Sequence, residues 1–492
     1  MVLITLILLV TAATGGDAAL RFAASYGDHM VLQRGPQKAV VWGYADKNGE
    51  NVTLQIVGHG SPVQTTTANG LWKAKLPAMT SPGPFVITAS SSEGSVSLHD
   101  VLFGDVWVCA GADNMVFPMD SVINSTYEIK KALAFDNIRL LHVQNTISPT
   151  PKVDIIRPQT PWTAPTAMSV RAFSGLCLLY GEYLYSNRKY PIGLIEAAWG
   201  GTTIENWSGP DANTVCTGRF RKRLPFEQSE VWNAMIYPML STTIYGAIWS
   251  QGASNINNST KYACQQPAMF QDWRNKFHIA SMGETNLTFP FGFVQLGANG
   301  ASQSRVGGFP GLRWAQTANV GYAPNIIMPH SFMSVAMDLP DVYAPGGSLR
   351  TRYKQDVAER LGLASLAVAY GEKGLSYQGP YPTSFNTTTK GDLVIEYDHG
   401  QSVLDIRATG GFEICCSSTS QTTCGLNDTW VAAPVLTHSG ATLTLNVTGC
   451  QNEHWVGLRY SWRETPCEFK KCCVYGRDNA LPAPPFIRNT AF

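Results

Sequence analysis

The sequence has almost no net charge and no long hydrophobic segment. Its 36 lysines and arginines balance 35 aspartates and glutamates, so it lacks the basic excess or basic stripe that is typical of nucleic-acid-binding proteins. A membrane-spanning helix needs about 20 consecutive apolar residues, and every apolar run in this chain is shorter than that. We therefore expect neither nucleic-acid binding nor a membrane-spanning segment.

Three other features predict an exported protein, either secreted or lysosomal. Residues 1–19 hold an apolar run followed by small residues, which is typical of a signal peptide. The 11 cysteines are more than a reducing compartment usually allows. Acceptor triplets for N-linked glycans recur along the chain at Asn51, Asn124, Asn286, Asn386, Asn427 and Asn446.

The cysteines are concentrated near the C-terminus, between Cys415 and Cys473. No C-x-x-C spacing occurs, which disfavours a zinc site and favours a module held by disulfides. The pairing is left open by the sequence. Because the total is odd, at least one thiol is free or bonded to another molecule.

One short basic cluster interrupts the balance of charge. It contains Arg219, Arg221, Lys222 and Arg223. Its polar surroundings favour a solvated loop. A dibasic processing site is the alternative.

Hydrophobic periodicity divides the rest of the chain into three regions. Residues 20–102 alternate apolar and polar side chains over short runs, which is typical of a small β domain. In residues 103–370, continuous apolar strands alternate with helical segments such as "VRAFSGLCLLYGEYLYSNRK" and "RYKQDVAERLGLASLAVAYG". This pattern predicts an α/β core with a mostly parallel sheet. Residues 371–492 return to short alternating runs, so we expect a cysteine-rich β module packed on the core.

Small and polar residues follow four of the predicted core strands. The first three sets are Asp113 and Asn114 after "DVWVC", Gly200 and Gly201 after "GLIEAAW", and Gln251 and Asn255 after "GAIW". A loop rich in glycine and proline, residues 339–352, follows "SFMSVAMD". In an open α/β sheet, ligands bind at the carboxyl ends of strands, so we expect these residues to converge on one crevice. Ordinary turn chemistry explains any single glycine equally well.

These motifs resemble sequence blocks of the sialate O-acetylesterases, a family of SGNH hydrolases. The family block G-D-V-W-x-C-S-G-Q-S-N-M is similar to "GDVWVCAGADNM" at residues 104–115. The block W-G-G-T-x-I-E-x-W is similar to residues 199–207, and W-Y-Q-G-E-S-N is similar to residues 249–255. Further matches such as "FGFVQL", "VAMDL" and "ALPAPPF" extend over nearly the whole chain. The resemblance implies a flavodoxin-like α/β core flanked by N-terminal and C-terminal β modules.

The resemblance also implies an activity, which is hydrolysis of O-acetyl esters on sialic acids by a serine nucleophile and a histidine base. Asp113 stands at the nucleophile position, and Arg350 in "GSLRTRYK" replaces the histidine of G-S-I-H-P-R-x-K. The oxyanion-hole positions fall on Gly200 and Asn255. The implied partner is a sialylated glycan or glycoprotein, and no metal or cofactor is expected. The positions expected to bind substrate are Asn114, Gly201, Gln251 and Arg313.

Both substitutions oppose the chemistry of a serine hydrolase. Asp113 has no hydroxyl, and its charge opposes the oxyanion that would develop beside it, where a donor normally contributes ~3 kcal/mol. Arg350 cannot accept a proton at any relevant pH. Among the nine histidines, His330 is nearest in sequence, and none has an obvious route to the site. No G-x-S-x-G motif is present, and nothing marks Ser254 as an activated nucleophile.

Each substitution has a simple structural explanation as well. Aspartate is a favoured helix N-cap, and Arg350 fits an exposed loop. Taken together, and with family geometry, the two side chains would face each other where a serine and a histidine normally meet. We expect a charge-assisted ion pair that occupies and blocks the site, with the small side chains of Ala112 and Ala253 leaving room for it.

The sequence favours a secreted, catalytically impaired member of this family that retains glycan or partner binding. The alternative is an active carbohydrate esterase that removes O-acetyl groups from sialic acids through Asp113 or a recruited residue. In a third hypothesis the β modules carry the function, as carbohydrate-binding or interaction domains, and the α/β core is their scaffold.

Overall fold

The computed structural model describes residues 20–216, 228–389, 391–417, 422–425, 428–450 and 454–490. The predicted signal peptide at residues 1–19, the basic cluster at residues 219–223 and the acceptor Asn427 lie outside these ranges. Among the helices within them, none is both long enough and apolar enough to cross a membrane.

The N-terminal β region consists of short strands that lead into one long strand. The strands are β1 (Arg21–Phe22), β2 (Val31–Gln33), β3 (Val40–Tyr44), β4 (Asn51–Ile56), β5 (His59–Thr66), β6 (Leu71–Lys75), β7 (Phe85–Ser91) and β8 (Gly94–Gly111). β3 pairs with β1 and β6, while β4 pairs with β5 and β7, all antiparallel. In β4 the side chains of Val52, Leu54 and Ile56 are buried, as its alternating pattern predicts.

The long strand β8 belongs to both the N-terminal region and the core. Its first half pairs antiparallel with β7, and its second half is the central strand of the core sheet. The boundary predicted between residues 102 and 103 therefore falls inside this strand, and the division into domains stays a prediction.

The core sheet is mostly parallel, which confirms the prediction of an α/β core. Its other strands are β9 (Ile138–Val143), β10 (Pro158–Thr163), β11 (Ile192–Ala198), β12 (Gly246–Ser250), β13 (Phe291–Gln295) and β14 (Ser331–Val335). The order is β10-β9-β11-β8-β12-β13-β14, and only the edge pair β10–β9 is antiparallel. β11, β12 and β13 are buried along their whole length, which explains their continuous apolar sequences.

Helices cover both faces of this sheet. The α-helices are α1 (Asp113–Val116), α2 (Ser125–Ala132), α3 (Ala167–Ala172), α4 (Gly175–Arg188), α5 (Ile204–Trp207), α6 (Pro210–Val215), α7 (Ser259–Ala280), α8 (Phe309–Ala315) and α9 (Lys354–Val368). Apolar side chains of α7 pack on one face, and those of α4 and α9 pack on the other. Both segments with a helical rhythm in the sequence are helical here, although Phe173 and Ser174 separate α3 from α4.

The C-terminal β module packs on the core through a shared apolar cluster that includes Val335 and Met337. Its strands are β15 (Pro382–Thr387), β16 (Leu393–Tyr397), β17 (Leu404–Ile406), β18 (Phe412–Ser417), β19 (Trp430–Ala432), β20 (Val435–Ser439), β21 (Thr442–Leu445), β22 (His454–Tyr460), β23 (Val474–Gly476) and β24 (Phe486–Arg488). All the strand pairs that they form are antiparallel.

Disulfides cross-link the core and, separately, the C-terminal module, as the cysteine content predicts. Two lie in the core, Cys109–Cys177 and Cys216–Cys264. Three lie in the module, Cys415–Cys424, Cys416–Cys450 and Cys467–Cys472. The free thiol expected from the odd total belongs to Cys473, which is buried. Burial raises the pKa of this thiol to about 12, so it is unreactive at neutral pH.

Candidate functional site

Three adjacent strands end at the same level of the sheet. In the register of the parallel pairs, Gly111 of β8 lies opposite Ala198 of β11 on one side and opposite Ser250 of β12 on the other. Gly111 has a φ of 136°, and a Cβ atom there would lie 2.2 Å from the Ser250 carbonyl oxygen. Only glycine therefore fits at this point, and the chain can turn directly from the strand end into α1.

Asp113 stands at this edge and pairs with Arg350. An Nη2 proton of Arg350 is donated to Asp113 Oδ1 over 2.7 Å, and the backbone amide of Gly201 donates to Asp113 Oδ2 over 3.3 Å. The expected ion pair between these two side chains is confirmed. The N-cap explanation is wrong, because Ala112 is the N-cap of α1 and no side chain caps this helix.

The loop that carries Arg350 is held by a second ion pair. Arg352 donates from Nε and Nη2 to both carboxylate oxygens of Asp341, over 2.7 and 2.8 Å. Burial opposes ionisation of Asp341, but the hydrogen bonds from Arg352 prevail and lower the pKa of this carboxyl. The loop is thereby anchored two residues after Arg350, which orients the guanidinium toward Asp113.

Asn114 is bonded to the same loop. Its Nδ2 donates to the Leu349 carbonyl over 2.9 Å, and its Oδ1 accepts from Lys354 Nζ over 2.7 Å. Lys354 is buried, and its burial lowers the pKa of the ammonium to about 7. The amide that the family resemblance assigns to substrate binding thus joins α1 to the start of α9.

Asn255 and Gln251 lie in a buried polar network below the strand ends. Asn255 Nδ2 donates to Glu205 Oε2 over 2.9 Å, and Asn255 Oδ1 accepts from Gln251 Nε2 over 2.7 Å. Tyr262 donates its hydroxyl proton to Gln251 Oε1 over 2.9 Å. Glu205 was not singled out from the sequence, although it stands in the motif "WGGTTIENW". Its carboxylate accepts one of the two Nδ2 protons of Asn255 and so fixes the orientation of that amide.

Arg313 is engaged with the protein backbone. Its side chain is fully buried. It donates to the carbonyls of Leu296, Gly297, Arg463 and Glu464, each over 2.7 Å. The predicted contact between Arg313 and substrate conflicts with this placement, because its donors already serve the protein backbone.

Two clefts flank the Asp113–Arg350 pair. The outer cleft has a volume of about 550 Å³ and reaches Phe117, Asn124 and Gly200 as well as the pair. The inner cleft, lined by Ala112 and Ala253 among others, has a volume of only about 20 Å³, which is room for about one water molecule. Asp113 lines both clefts, and Arg350 lines the outer one.

Neither a histidine nor Ser254 belongs to the described residues that line these two clefts. His330 directly precedes β14. It therefore lies at the amino edge of the parallel sheet, opposite the edge that carries Asp113. Among the described residues that line the two clefts, the strand ends offer an acid, a guanidinium and a buried lysine, and no histidine.

Family models match two long stretches of this chain. A model described as carbohydrate esterase, sialic acid-specific acetylesterase, matches residues 123–326. A second, described as the sialate O-acetylesterase C-terminal domain, matches residues 383–490. Asp113 and Arg350 both fall outside the first matched stretch.

Known proteins resemble this chain over its full length. It is 38% identical over 503 residues to the sialate O-acetylesterase of Homo sapiens, covering 98% of this chain and 94% of the relative. It is 36% identical over 533 residues to that of Mus musculus, covering 98% and 97%. A carbohydrate acetylesterase from Xanthomonas citri has a similar structure, with a TM-score of 0.79 and 26% identity over 95% of this chain and 99% of that one. These likenesses confirm the SGNH-hydrolase-like fold with its flanking β modules.

Proposed function

Because the chain belongs to the sialate O-acetylesterase family, we propose that it is an exported, catalytically impaired member that still binds sialylated glycans. The observation that carries this proposal is the ion pair between Asp113 and Arg350 at the strand ends. These two residues occupy the positions of the nucleophile and the base in the family blocks. Neither can perform the step that the position requires.

The reacting groups of an acyl transfer are missing from this pair. The first step needs a hydroxyl that loses its proton to a base within hydrogen-bond reach. The carboxylate of Asp113 is a weak nucleophile, and Arg350 holds it in a hydrogen bond. A covalent acyl-aspartate would still need a base to activate water, and a guanidinium cannot accept the proton.

The amide side chains near the predicted oxyanion position are held by the buried network. Asn255 directs its Nδ2 proton to Glu205, and Gln251 directs its Nε2 protons to Asn255 and the Thr202 carbonyl. The Nδ2 group of Asn255 carries a second proton, so this bond does not remove the oxyanion donor, and the proposed impairment rests on Asp113 and Arg350.

The outer cleft supports retained glycan binding. It is open to solvent, its volume of about 550 Å³ is within the range of small-ligand sites, and Arg350 and Arg352 stand on its wall. In the described part of the chain Arg350 is 44% exposed and gives only its Nη2 group to Asp113, so its other N–H groups can meet an anionic ligand such as a sialic acid carboxylate. Arg352 is occupied by its ion pair with Asp341. Binding without turnover is therefore the expected behaviour.

Export is supported by the covalent chemistry of the chain. The five disulfides favour an oxidising compartment. The acceptors Asn51, Asn124, Asn286 and Asn386 are exposed, as attachment of an N-linked glycan requires. These features fit secretion and a lysosomal destination equally.

Acetate release from 9-O-acetylated sialic acid tests the proposal. The native chain is compared with the double variant Asp113→Ser, Arg350→His and with each single variant. We expect no release by the native chain or by the single variants, because a serine without a base and a base without a serine are both inactive. The double variant restores the pair on an intact scaffold and should give measurable turnover.

Turnover by the native chain, abolished in Asp113→Ala, would overturn the proposal and establish a carboxylate nucleophile. Binding is measured separately, by titrating the native chain with unmodified sialic acid. Arg352 keeps its ion pair with Asp341, so Arg350→Ala should weaken this binding without unfolding the loop. Equal binding by the native chain and Arg350→Ala would contradict the glycan part of the proposal.

A further inference from the structure

A third cleft lies between the α/β core and the C-terminal β module. Its volume is about 340 Å³, and it shares no lining residue with the clefts beside Asp113. Clefts of this size at the junction of two structural units are common sites for small ligands. Nothing in the esterase chemistry of the family motifs uses it.

Tyrosine rings form one wall of this junction cleft. They are Tyr322, Tyr377 and Tyr381. The rings of Tyr322 and Tyr381 lie 5.0 Å apart, centroid to centroid, with their planes at 60°. Tyr381 donates its hydroxyl proton to the Val320 carbonyl over 2.7 Å, which fixes its ring. A Cβ atom on Gly321 would lie 2.3 Å from the Tyr381 hydroxyl oxygen, so the glycine makes room for the ring.

A tight left-handed turn forms the polar edge of the cleft. Asp398 and His399 have φ values of 47° and 53°, a conformation that costs non-glycine residues free energy and that is often found at ligand sites. The backbone amide of His399 donates to Thr383 Oγ1 over 2.9 Å. Asp398 accepts from the Tyr381 amide over 3.2 Å and from the hydroxyl of Ser402. The turn thus holds Asp398, His399 and the exposed Gln401 at the mouth of the cleft.

The charges at the cleft disfavour an anion. Arg360 lines it but donates to both carboxylate oxygens of Asp338, over 2.6 and 2.9 Å, and to the Val335 carbonyl over 2.6 Å. Asp398 forms no ion pair with any part of the chain that the structure describes. A ligand carboxylate would meet this negative charge without a free cation to offset it.

We propose that the junction cleft binds a neutral pyranose unit of a glycan. The tyrosine rings offer flat apolar faces for the C–H face of a sugar ring. Asp398, His399 and Gln401 offer both donors and acceptors for its hydroxyls. This site is independent of the proposed sialic acid site and does not rest on it.

This inference is tested by titrating the full chain with the methyl glycosides of glucose, galactose and mannose. Binding is measured by saturation-transfer NMR. At least one glycoside should bind the native chain. Tyr322→Ala should weaken binding at least about ten-fold, since it removes one aromatic face, and Gln401→Ala should weaken it less. Thermal melts verify that each variant folds, and Gln401 is exposed, so its variant stays informative if Tyr322→Ala does not fold.

Two matched controls locate the binding. Tyr343→Ala removes a tyrosine that is 87% exposed and lies outside the cleft, and Asp113→Ala alters the core site. Both should leave glycoside binding unchanged. Absence of binding by the native chain, unchanged binding by both cleft variants, or loss of binding in Asp113→Ala would overturn the inference. Preference for tetramethylammonium over every glycoside would also overturn it and indicate a site for cations.

Discussion

The negative charge of Asp113 is compensated on two sides, by the Arg350 guanidinium and by the Gly201 amide. The Asp113 side chain is 13% exposed and that of Arg350 is 44% exposed. An ion pair with one partner so open to solvent contributes little to folding. Under the proposed function, the ion pair changes the chemistry of the site more than the stability of the fold.

We predict that Arg350→Ala changes the stability of the chain only slightly. The free energy of unfolding in urea should fall by about 1 kcal/mol or less, because solvent screens the lost pair. Arg477→Ala is the matched control, since Arg477 pairs with Asp478 on the surface and is 62% exposed. A loss of more than about 3 kcal/mol in Arg350→Ala alone, typical of an uncompensated buried charge, would contradict this view of the pair.

At the scale of single elements, β11 joins the site to the core. Gly200 follows its carboxyl end, and Glu196 lies inside it, fully buried. Glu196 Oε2 accepts from the backbone amide of Ser174, the N-cap of α4, over 2.8 Å. His142 Nε2 of β9 lies 3.7 Å from Glu196 Oε1. Burial raises the pKa of Glu196 to about 8 and lowers the pKa of His142 to about 4, so both groups are uncharged near pH 6.

We predict that Glu196 makes the chain more stable in mild acid than in mild base. The carboxyl titrates near 4.5 when unfolded and near 8 when folded. Its contribution to the free energy of unfolding is therefore fully present below pH 4.5 and is lost as the pH rises toward 8. Glu196→Gln keeps an acceptor for Ser174 and removes this loss. Relative to the native chain, the variant should gain roughly 2–4 kcal/mol in free energy of unfolding between pH 5 and pH 8.

The measurement is urea unfolding of both chains at pH 5 and pH 8. Glu359→Gln, on the exposed face of α9, is the control and should show no such gain. His142 has the opposite effect on the pH dependence of stability, because its contribution to the free energy of unfolding is lost as the pH falls from 6.5 toward 4. Parallel pH curves for the native chain and Glu196→Gln would rule out a neutral buried carboxyl.

At the scale of the whole molecule, Arg313 joins the core to the C-terminal module. It donates to carbonyls of both units, Leu296 and Gly297 in the core and Arg463 and Glu464 in the module. Glu464 in turn accepts from Asn299 and pairs with Arg305. The module is thus held by polar contacts in addition to the apolar cluster that contains Val335 and Met337.

We predict that Arg313→Met loosens this junction. The variant leaves buried carbonyls without a donor, and each unsatisfied group costs roughly 1–3 kcal/mol. We expect a loss of about 3 kcal/mol or more in free energy of unfolding, with faster hydrogen exchange in residues 454–465. Arg305→Met breaks a pair in which the arginine is 69% exposed, and it should cost less than about 1 kcal/mol. Equal losses in the two variants would show that the contacts of Arg313 are not what holds the module.

Much of the fold follows from local pattern. The continuous apolar runs of β11, β12 and β13 predict strands buried on both faces, and the helical rhythm of residues 352–371 predicts a helix, which is α9 in the structure. The glycines after the strands predict that the residues following each strand meet at the carboxyl edge of the sheet. Arg313 shows the limit of such inference, because a motif position does not reveal whether a side chain faces a cleft or the interior. No sequence pattern marked the tyrosines of the junction cleft as neighbours, since they come from separate segments of the chain.

The sequence by itself determined the α/β class of the core, its buried apolar strands, the helical character of two segments, the odd thiol and the identity of the residues at positions 113 and 350. These are local or compositional properties, which depend on side-chain period and residue type. The tertiary structure alone decided that Arg350, 237 positions away, donates to Asp113, and that Glu205 takes the amide proton of Asn255. Such partners depend on the register of parallel strands and the course of long loops. A hydrogen bond forms only within a few tenths of an ångström of its ideal distance, and no periodic pattern in the chain specifies distances between segments so far apart.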